Sequence, residues 1–139
     1  MHIDLVVEQK ENLMPLLLLG DESLELIAGY LDRGELYALY DPDLRGVCVV
    51  TDEGQGVFEI QNLAIAQEHQ GKGYGQAIVS HIRRSLSGKA HILMVGTGDS
   101  TRTLGFYQRC GFVITSRIKD YMLTHYQHPI LEDGVLVFY

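Results

Sequence analysis

The stretch EIQNLAIAQEHQGKGYGQAIVSHIRRSL, residues 59–86, decides the fold. Its first part continues a β-favouring run from Val57 and predicts a strand over 57–66. A loop follows at Gln70–Gly75, and apolar residues then recur at helical spacing, which predicts a helix over about 73–86. A further apolar strand is expected at 91–95. Two strands joined in this way by a helix predict a right-handed β–α–β unit with parallel strands.

The loop at Gln70–Gly75 carries three glycines in five positions. Glycine lets successive backbone N–H groups point into one concavity, and the unpaired N–H groups of the following helical turn add to them. Such a site holds two phosphates, with Lys72 as a cation at the rim. The spacing matches neither a P-loop nor the dinucleotide fingerprint G-x-G-x-x-G. The sequence therefore predicts a diphosphate-binding loop, and the alternative is a turn with a structural role alone.

The rest of the chain predicts further strands and helices around this unit. Strands are expected at 1–8, 35–40, 44–51, 112–118 and 135–139, and those at 35–40 and 44–51 continue into 57–66 as an antiparallel meander. Residues 11–19 are expected to form one or two helical turns, and 120–134 mostly loop. Asp21 is expected to cap a helix that ends near Arg33, and Asp99 or Ser100 to cap one that ends near Cys110.

Composition limits the class of protein. The chain has 139 residues, 46% of them hydrophobic and spread along its length, which predicts a single domain over residues 1–139. No apolar run approaches the roughly 20 residues that span a bilayer, and the N-terminus lacks the basic region of a signal peptide. The two cysteines do not make a disulfide scaffold, so a cytoplasmic, reducing compartment is expected.

The charge and the histidines exclude two kinds of partner. A net charge of −7 disfavours nucleic acid and favours the approach of cationic molecules; the alternative is that it serves solubility alone. The six histidines do not cluster at metal-ligand spacing, so no metal is expected.

Two sequence blocks resemble one known family. Residues 59–65 followed by the loop QGKGYG at 70–75 are similar to the acetyl-CoA signature of the GNAT N-acetyltransferases, Q/R-x-x-G-x-G/A after a strand. The block LGFYQRCGF at 104–112 is similar to the family's helix ending in Y-x-x-x-G-F, and the tail at 121–134 looks like that of a bacterial subgroup. The resemblance implies an α/β protein of the GNAT fold, an α+β mixed sheet. That sheet is central, twisted and mostly antiparallel, has a splayed parallel strand pair, and carries helices on both faces.

The resemblance also implies acetyl-CoA as cosubstrate and a set of residues that hold it. Pantetheine would lie in the gap between the parallel strands and pair with the backbone of Leu63, Ala64 and Ile65, with the Leu63 N–H facing the thioester oxygen. The diphosphate would contact N–H groups of Gly71–Gly75, with Gln70 shaping the turn. The contacts implied within 71–75 are those of Gly71, Lys72, Gly73, Tyr74 and Gly75. Ser100 stands near the position of a pantetheine-contacting Asn in many members, although a role in helix capping is the alternative.

Two residues are candidates for the chemistry that the resemblance implies. Tyr107 occupies the motif's tyrosine position and is the candidate general acid that protonates the leaving thiolate; the alternative is a tyrosine that only packs. Glu59 is the candidate base, because some members have a strand carboxylate four residues before the oxyanion N–H, here Leu63. Strand alternation places Glu59, Gln61 and Leu63 on one face. The alternative for Glu59 is a carboxylate that faces solvent.

The acceptor remains the least determined part of the sequence reading. A primary amine of a small molecule or peptide, carrying a cationic group, is expected to enter opposite CoA, between the first helices and the loop 120–134. The plausible wall residues in that loop are Tyr121, His125, Tyr126, Glu132 and Asp133. The alternative is a surface loop with ordinary polar residues. A homodimer is common in the family. The alternative functions are a GNAT-fold module that senses acyl-CoA without turnover, and a nucleotide-binding protein that uses the same loop.

Overall fold

A single mixed sheet organises the computed structural model, which describes residues 1–96, 101–114 and 135–138. Within those residues the sheet has seven strands, in the order β1-β2-β3-β4-β5-β7-β6. The strands are β1 (His2–Val6), β2 (Glu35–Tyr40), β3 (Leu44–Gly54), β4 (Val57–Ile65), β5 (Ile92–Gly96), β6 (Val113–Ile114) and β7 (Val135–Phe138). The α-helices are α1 (Met14–Gly20), α2 (Leu24–Arg33), α3 (Tyr74–Ser85) and α4 (Thr101–Arg109), and short 3-10 turns lie at Lys10–Leu13 and Gln67–His69.

The strand directions agree with the sequence prediction. Strands β1 to β4 pair antiparallel, as expected of a meander. Strand β4 then pairs parallel with β5, which follows α3, and β7 pairs antiparallel with both β5 and β6. The expected mixed sheet, mostly antiparallel with one parallel pair, is confirmed.

Helices cover both faces of the sheet, and each face has its own core. On one face α3 and α4 bury Ile78, Ile82 and Tyr107 against β2, β3 and β4. On the other face α1 and α2 bury Leu17 and Ile27 against the opposite side of the same strands. Each fully buried aliphatic side chain contributes about 1.5–3 kcal/mol relative to an exposed one, so both faces are anchored by burial.

Strand β4 is irregular where it leaves its neighbours. Val49 of β3 pairs with Asn62, but the next residue, Val50, pairs with Ile60, so Gln61 is an extra residue in a β-bulge. The parallel pairing with β5 covers only 57–60 of β4 and ends at Ile60 opposite Val95. Among the described residues, no strand pairs with this edge of β4 beyond Ile60. Within the described residues, the second half of β4 runs past the end of β5 at Gly96 and is unpaired on that side, and we refer to it as the splayed half.

Some expected boundaries differ from those in the structure. Helix α2 is capped by Ser23, not by Asp21: the Ser23 hydroxyl accepts the Leu26 N–H at 3.1 Å. Asp21 instead accepts the Ser23 N–H at 3.0 Å and so stabilises the turn before the cap. The strand expected at 112–118 is present as Val113–Ile114, and its remainder lies outside the described residues, as does the loop expected at 120–134. Within the described part of the chain, no helix has both the length and the apolarity needed to cross a membrane.

Candidate active site

A groove of about 670 Å³ lies where α3 begins, beside the splayed half of β4 and against α4. The glycine-rich loop forms one end of it, and Leu63 and Ile65 line it from β4. Tyr107 lines it from α4. The structure thus brings the loop, the strand and the tyrosine to one site, as the sequence predicted. Its lining residues are Leu63, Ile65, His69, Gln70, Gly71, Gly73, Tyr74, Gly75, Gln76, Arg102, Thr103, Phe106, Tyr107 and Arg109.

The start of α3 is built to receive an anion. Its N-cap, Gly73, supplies no side-chain cap, so the first N–H groups of the helix have no side-chain partner there. Gly71 and Gly73 have φ of +81° and +88°, a region that favours glycine. A Cβ built at either position would meet nothing within 4 Å. A bare concavity at a helix N-terminus fits a diphosphate, because the helix dipole and the N–H groups both favour negative charge.

Gly75 has a packing role beside the backbone contact expected from the sequence. A Cβ there would lie 2.8 Å from Cζ of Phe106, which belongs to α4. The absence of a side chain at Gly75 therefore allows α3 and α4 to pack closely, and a larger residue would strike a ring before it reached the diphosphate.

Gln70 and Tyr74 fix the two ends of the loop. The Gln70 side chain donates from Nε2 to the Ile65 carbonyl at 3.2 Å, which ties the loop back to the end of β4. The Tyr74 hydroxyl donates to Oδ2 of Asp41 at 2.8 Å. That bond raises the pKa of Tyr74 and lowers the pKa of Asp41. Both bonds hold the loop against the sheet.

The edge of β4 contributes alternately to two faces. Leu63 and Ile65 face the groove, whereas the Ala64 side chain is buried on the other face, among residues of α1 and α2. The Ala66 N–H donates to the Arg45 carbonyl of β3, so by alternation the backbone of Ala64, which lies opposite Val47, also faces β3 and not the groove. The outward backbone groups are those of Leu63 and Ile65, and the Ile65 carbonyl accepts from Gln70. The Leu63 backbone and the Ile65 N–H are therefore available to a strand-like ligand.

Tyr107 is buried at one wall of the groove, with 7% of its surface exposed. Its ring packs edge-on against Phe106 and Phe112, at centroid distances of 5.0 and 5.4 Å. Burial raises the pKa of Tyr107, with smaller contributions from the nearby Cys48 and Cys110. The phenol is therefore protonated at neutral pH, which is the state that a general acid needs.

Glu59 does not share a face with Leu63, and the expectation from strand alternation is wrong at this point. Glu59 pairs with Thr51 of β3. The Gln61 side chain donates from Nε2 to the Thr51 hydroxyl at 3.0 Å, so Glu59 and Gln61 lie together on the face of α1 and α2. The bulge at Gln61 adds one residue and turns Leu63 to the opposite face.

The surroundings of Glu59 favour its neutral form. Its carboxyl is partly buried, and this desolvation raises its pKa to about 7, with a further contribution from the negative charge of Glu53. Arg33 at the end of α2 opposes the rise, but its guanidinium pairs with Glu53 at 2.8 Å. Glu59 can therefore gain or lose a proton near neutral pH.

Comparisons with known proteins agree with this geometry. A family model described as an acetyltransferase (GNAT) domain matches residues 32–114. The uncharacterized N-acetyltransferase YvbK of Bacillus subtilis (strain 168) is 36% identical over 138 residues, which cover 97% of this chain and 89% of that protein. The chain belongs to the GNAT family of acetyltransferases.

Solved GNAT-fold structures match nearly the whole chain. An acetyltransferase of Bacillus subtilis, crystallised in complex with CoA, is 34% identical with a TM-score of 0.76 and covers 98% of this chain and 95% of its own. A GNAT family acetyltransferase from Elizabethkingia anophelis with acetyl-CoA bound is 32% identical with a TM-score of 0.78, covering 98% and 94%. The GNAT fold expected from the sequence is thereby confirmed.

Several residues of the GNAT groove were missed by the sequence reading. Arg102, Phe106 and Arg109 line it from α4, and their spacing of four and three residues is that of one helical stripe. His69 precedes the loop, contacts the Arg45 guanidinium through Nε2, and has its Nδ1 3.2 Å from Lys72 Nζ. Lys72 itself is exposed and does not line the groove. The helical spacing of Arg102, Phe106 and Arg109 could have been recognised in the sequence. The contact between His69 and Arg45 could not, because it joins two segments that are distant along the chain.

Some sequence-predicted residues lie outside the described part of this GNAT chain. Ser100, the candidate pantetheine contact, is one of them. The candidate acceptor wall is another, because it falls within 115–134: Tyr121, His125, Tyr126, Glu132 and Asp133.

Proposed function

We propose that the protein is an acetyl-CoA-dependent N-acetyltransferase that moves an acetyl group to a primary amine of a small molecule or peptide. One observation carries the proposal. A groove on one face of β4 is lined by the glycine loop, Leu63 and Tyr107, while Glu59 with a pKa of about 7 lies on the opposite face of the same strand. This arrangement supports a coenzyme site and an acceptor site separated by one strand.

The residues of the groove fit the coenzyme's shape and charge. The N–H groups of 71–75 and the start of α3 bind the diphosphate, and Arg102 and Arg109 add positive charge to the same groove. The unpaired edge of β4 at 63–65 binds pantetheine as an added strand. Bound in this way, acetyl-CoA supplies an activated acetyl group as a thioester.

Leu63 and Tyr107 act at the reacting end. The Leu63 N–H lies on the splayed edge and donates to the carbonyl oxygen on which negative charge develops. Tyr107 is protonated at neutral pH, as a phenol of ordinary pKa already is and as burial further favours by raising that pKa, and it delivers its proton to the departing sulfur. Both residues line one groove, so these two roles require no movement of the strand.

Glu59 acts at the acceptor end. An amine whose pKa lies near 10 arrives mostly as an ammonium ion and must lose a proton before it attacks. Glu59, with a pKa of about 7, is ionised in about half of the molecules at neutral pH and can take that proton directly or through water. The net charge of −7 favours the approach of such a cation.

The proposal is tested by measuring the release of free CoA from acetyl-CoA against a panel of amines that includes polyamines, aminoglycosides and lysine peptides. We expect turnover with at least one amine, and a loss of about 10²-fold or more in kcat for Tyr107→Phe. Tyr40→Phe is the matched control, because Tyr40 lies on β2, stacks on His2 and does not line the groove.

Two outcomes would contradict the proposal. Tight binding of acetyl-CoA without turnover on any amine would favour a sensor module. An equal loss of kcat in Tyr107→Phe and Tyr40→Phe would remove Tyr107 from the chemistry.

A further inference from the structure

Two neighbouring amide side chains, Gln61 and Asn62, point to the same side of β4. Successive residues of a regular strand point to opposite faces, so this pair is possible only because of the bulge. Gln61 donates to Thr51 on the face of α1 and α2. Asn62 is 3% exposed and is bonded to both of those helices. The bulge is thus held from the helix side by two consecutive amides.

The Asn62 amide makes two directed hydrogen bonds. Its Nδ2 donates to the Leu17 carbonyl of α1 at 2.8 Å and to the Tyr30 hydroxyl of α2 at 3.0 Å. The Tyr30 hydroxyl in turn donates to Oδ2 of Asp21, in the turn between these helices, at 3.1 Å. A carbonyl can only accept, so Nδ2 must face Leu17, and the orientation of the amide is settled by its partners.

The oxygen of the Asn62 amide is tightly packed but accepts no hydrogen bond from the described residues. Among the described residues, Oδ1 of Asn62 is buried and has no hydrogen-bond partner. It lies against Gly20, where an added Cβ would come within 2.1 Å of it. A buried acceptor without a partner costs free energy, and the two bonds of Nδ2 hold the amide in this orientation against that cost.

We propose that Asn62 is a positioning residue for acetyl transfer: it clamps the bulge to α1 and α2 and thereby aims the N–H of the next residue, Leu63, into the groove. The peptide unit that carries this N–H also contains the Asn62 carbonyl carbon, so a rotation of Asn62 turns the donor. The inference rests on the proposed role of Leu63. Its consequence is that the Asn62 side chain connects α1 and α2 to the Leu63 donor on the other face of β4.

A preorganised hydrogen-bond donor loses its effect on the rate when it points away from the oxygen. Donors that stabilise developing charge must stand close to the position of the oxygen, and loss of one costs about 10²–10³-fold in kcat. A bulge has lost part of its ladder and depends on side-chain contacts for its geometry. Asn62 and Gln61 supply those contacts here.

The test uses the full chain with acetyl-CoA labelled at the carbonyl carbon, whose stretching frequency falls when the oxygen accepts a hydrogen bond. Three variants loosen the clamp in different ways. Asn62→Ala removes the amide, Tyr30→Phe removes one of its acceptors, and Gly20→Ala keeps every polar group but pushes on Oδ1. Gly29→Ala is the matched control, because a Cβ at that position of α2 meets nothing within 4 Å.

We expect a lowered carbonyl frequency in the wild type and in Gly29→Ala, and a return toward the free frequency in the three clamp variants. The dissociation constant for acetyl-CoA should stay within about threefold, because the glycine loop is untouched. If Asn62→Ala fails to fold, Tyr30→Phe and Gly20→Ala carry the test, with the melting temperature followed in parallel.

Each other outcome identifies what is wrong. A lowered frequency that persists in all folded clamp variants overturns the positioning role and leaves the Leu63 donor intact. A wild-type frequency equal to that of free acetyl-CoA overturns the Leu63 role, and with it this inference. Neither result depends on the amine, so failure of the amine screen stays distinguishable.

Discussion

At the scale of single residues, burial raises the basicity of Glu59, the proposed base. An exposed glutamate would be fully ionised at neutral pH but too weak a base to take a proton from an amine readily. Partial burial beside Glu53 raises the pKa of Glu59 to about 7 and makes its carboxylate more basic. Arg33 is paired with Glu53, which limits how far it can lower that pKa. The carboxylate is therefore matched to the working pH.

This environment predicts a pH dependence of the rate. A base must be deprotonated, so kcat/KM should rise with pH and level off above an apparent pKa near 7. In Glu59→Gln that limb should disappear, and the rate should fall about 10²-fold or more at the plateau. The measurement is a kcat/KM profile for both proteins with the best amine of the panel.

The matched variant for this profile is Glu53→Gln. Removing the neighbouring negative charge and freeing Arg33 both favour the ionised form of Glu59, so the limb should move to lower pH while the plateau is retained. A limb that is unchanged in Glu59→Gln would show that solvent, and not this carboxylate, removes the proton.

At the scale of elements, the glycines at the start of α3 have two different roles, in the proposed anion site and in helix packing, although the sequence predicted one role for all of them. Gly73 has φ of +88° and empty space where a side chain would stand, whereas Gly75 packs against Phe106 of α4. One glycine therefore opens the anion site and the other closes a helix–helix contact. Three glycines in five positions look equivalent in the sequence, because only the partner helix distinguishes them.

Gly73→Val should weaken CoA binding by at least tenfold, since its side chain enters the diphosphate concavity. The control is Gly88→Val at the other end of α3, where φ is +86° and a Cβ also meets nothing within 4 Å. Both variants carry a similar backbone strain of about 1–2 kcal/mol, so their melting temperatures should fall alike. Calorimetry with CoA should then show a loss only in Gly73→Val.

Gly75→Val should behave differently from both, because the valine would collide with the Phe106 ring at 2.8 Å. Its melting temperature should fall further than that of Gly88→Val. Equal CoA affinity in Gly73→Val and Gly88→Val would refute the diphosphate assignment of the loop.

Periodicity and glycine content predicted the elements around this loop correctly, and for physical reasons. Strand β4, the loop and α3 follow from local signals: β-favouring residues, backbone freedom and an apolar stripe that packs on the sheet. The bulge at Gln61 was not predicted, because strict alternation assumes an uninterrupted ladder. Its signal was the pair of adjacent amides Gln61–Asn62, since alternation would place one of two neighbouring side chains on each buried face. Because the bulge was not predicted, Glu59 was wrongly expected on the same face of β4 as Leu63.

At the scale of the whole molecule, one sheet separates two kinds of chemistry. Its α3 and α4 face holds the groove with cationic side chains at Arg102 and Arg109, although the chain carries a net charge of −7. Its α1 and α2 face holds Glu59 and the acidic neighbour Glu53. Cationic side chains thus line the proposed coenzyme groove, and carboxylates lie on the face where the proposed amine would arrive. Strand β4 is the element that both sites share.

Glu59 also links the folding equilibrium of the whole molecule to pH. Its pKa is raised from an ordinary value of 4.5 to about 7 in the folded protein, so between these values the folded state binds more protons than the unfolded state. The contribution of Glu59 to the free energy of unfolding therefore falls as pH rises through this window, by about 3 kcal/mol at most. Asp41 acts in the opposite sense: its lowered pKa stabilises the folded state at neutral pH, and this contribution is lost as the solution becomes more acidic.

This contribution is measured by urea unfolding of the wild type and of Glu59→Gln, without ligand, between pH 5 and pH 8. The difference between their free energies of unfolding removes the contributions of groups that titrate alike in both proteins. The wild type should lose stability relative to the variant as pH rises, and the difference should level off above about pH 7. The stability of Gln61→Ala and of Glu53→Gln should still differ from that of Glu59→Gln in a pH-dependent way, since both variants retain the Glu59 carboxyl. If the free energies of unfolding of the wild type and Glu59→Gln depend on pH in the same way, the Glu59 carboxyl is solvated in the folded state. A solvated Glu59 would have an ordinary pKa and would be too weak a base for the role proposed for it.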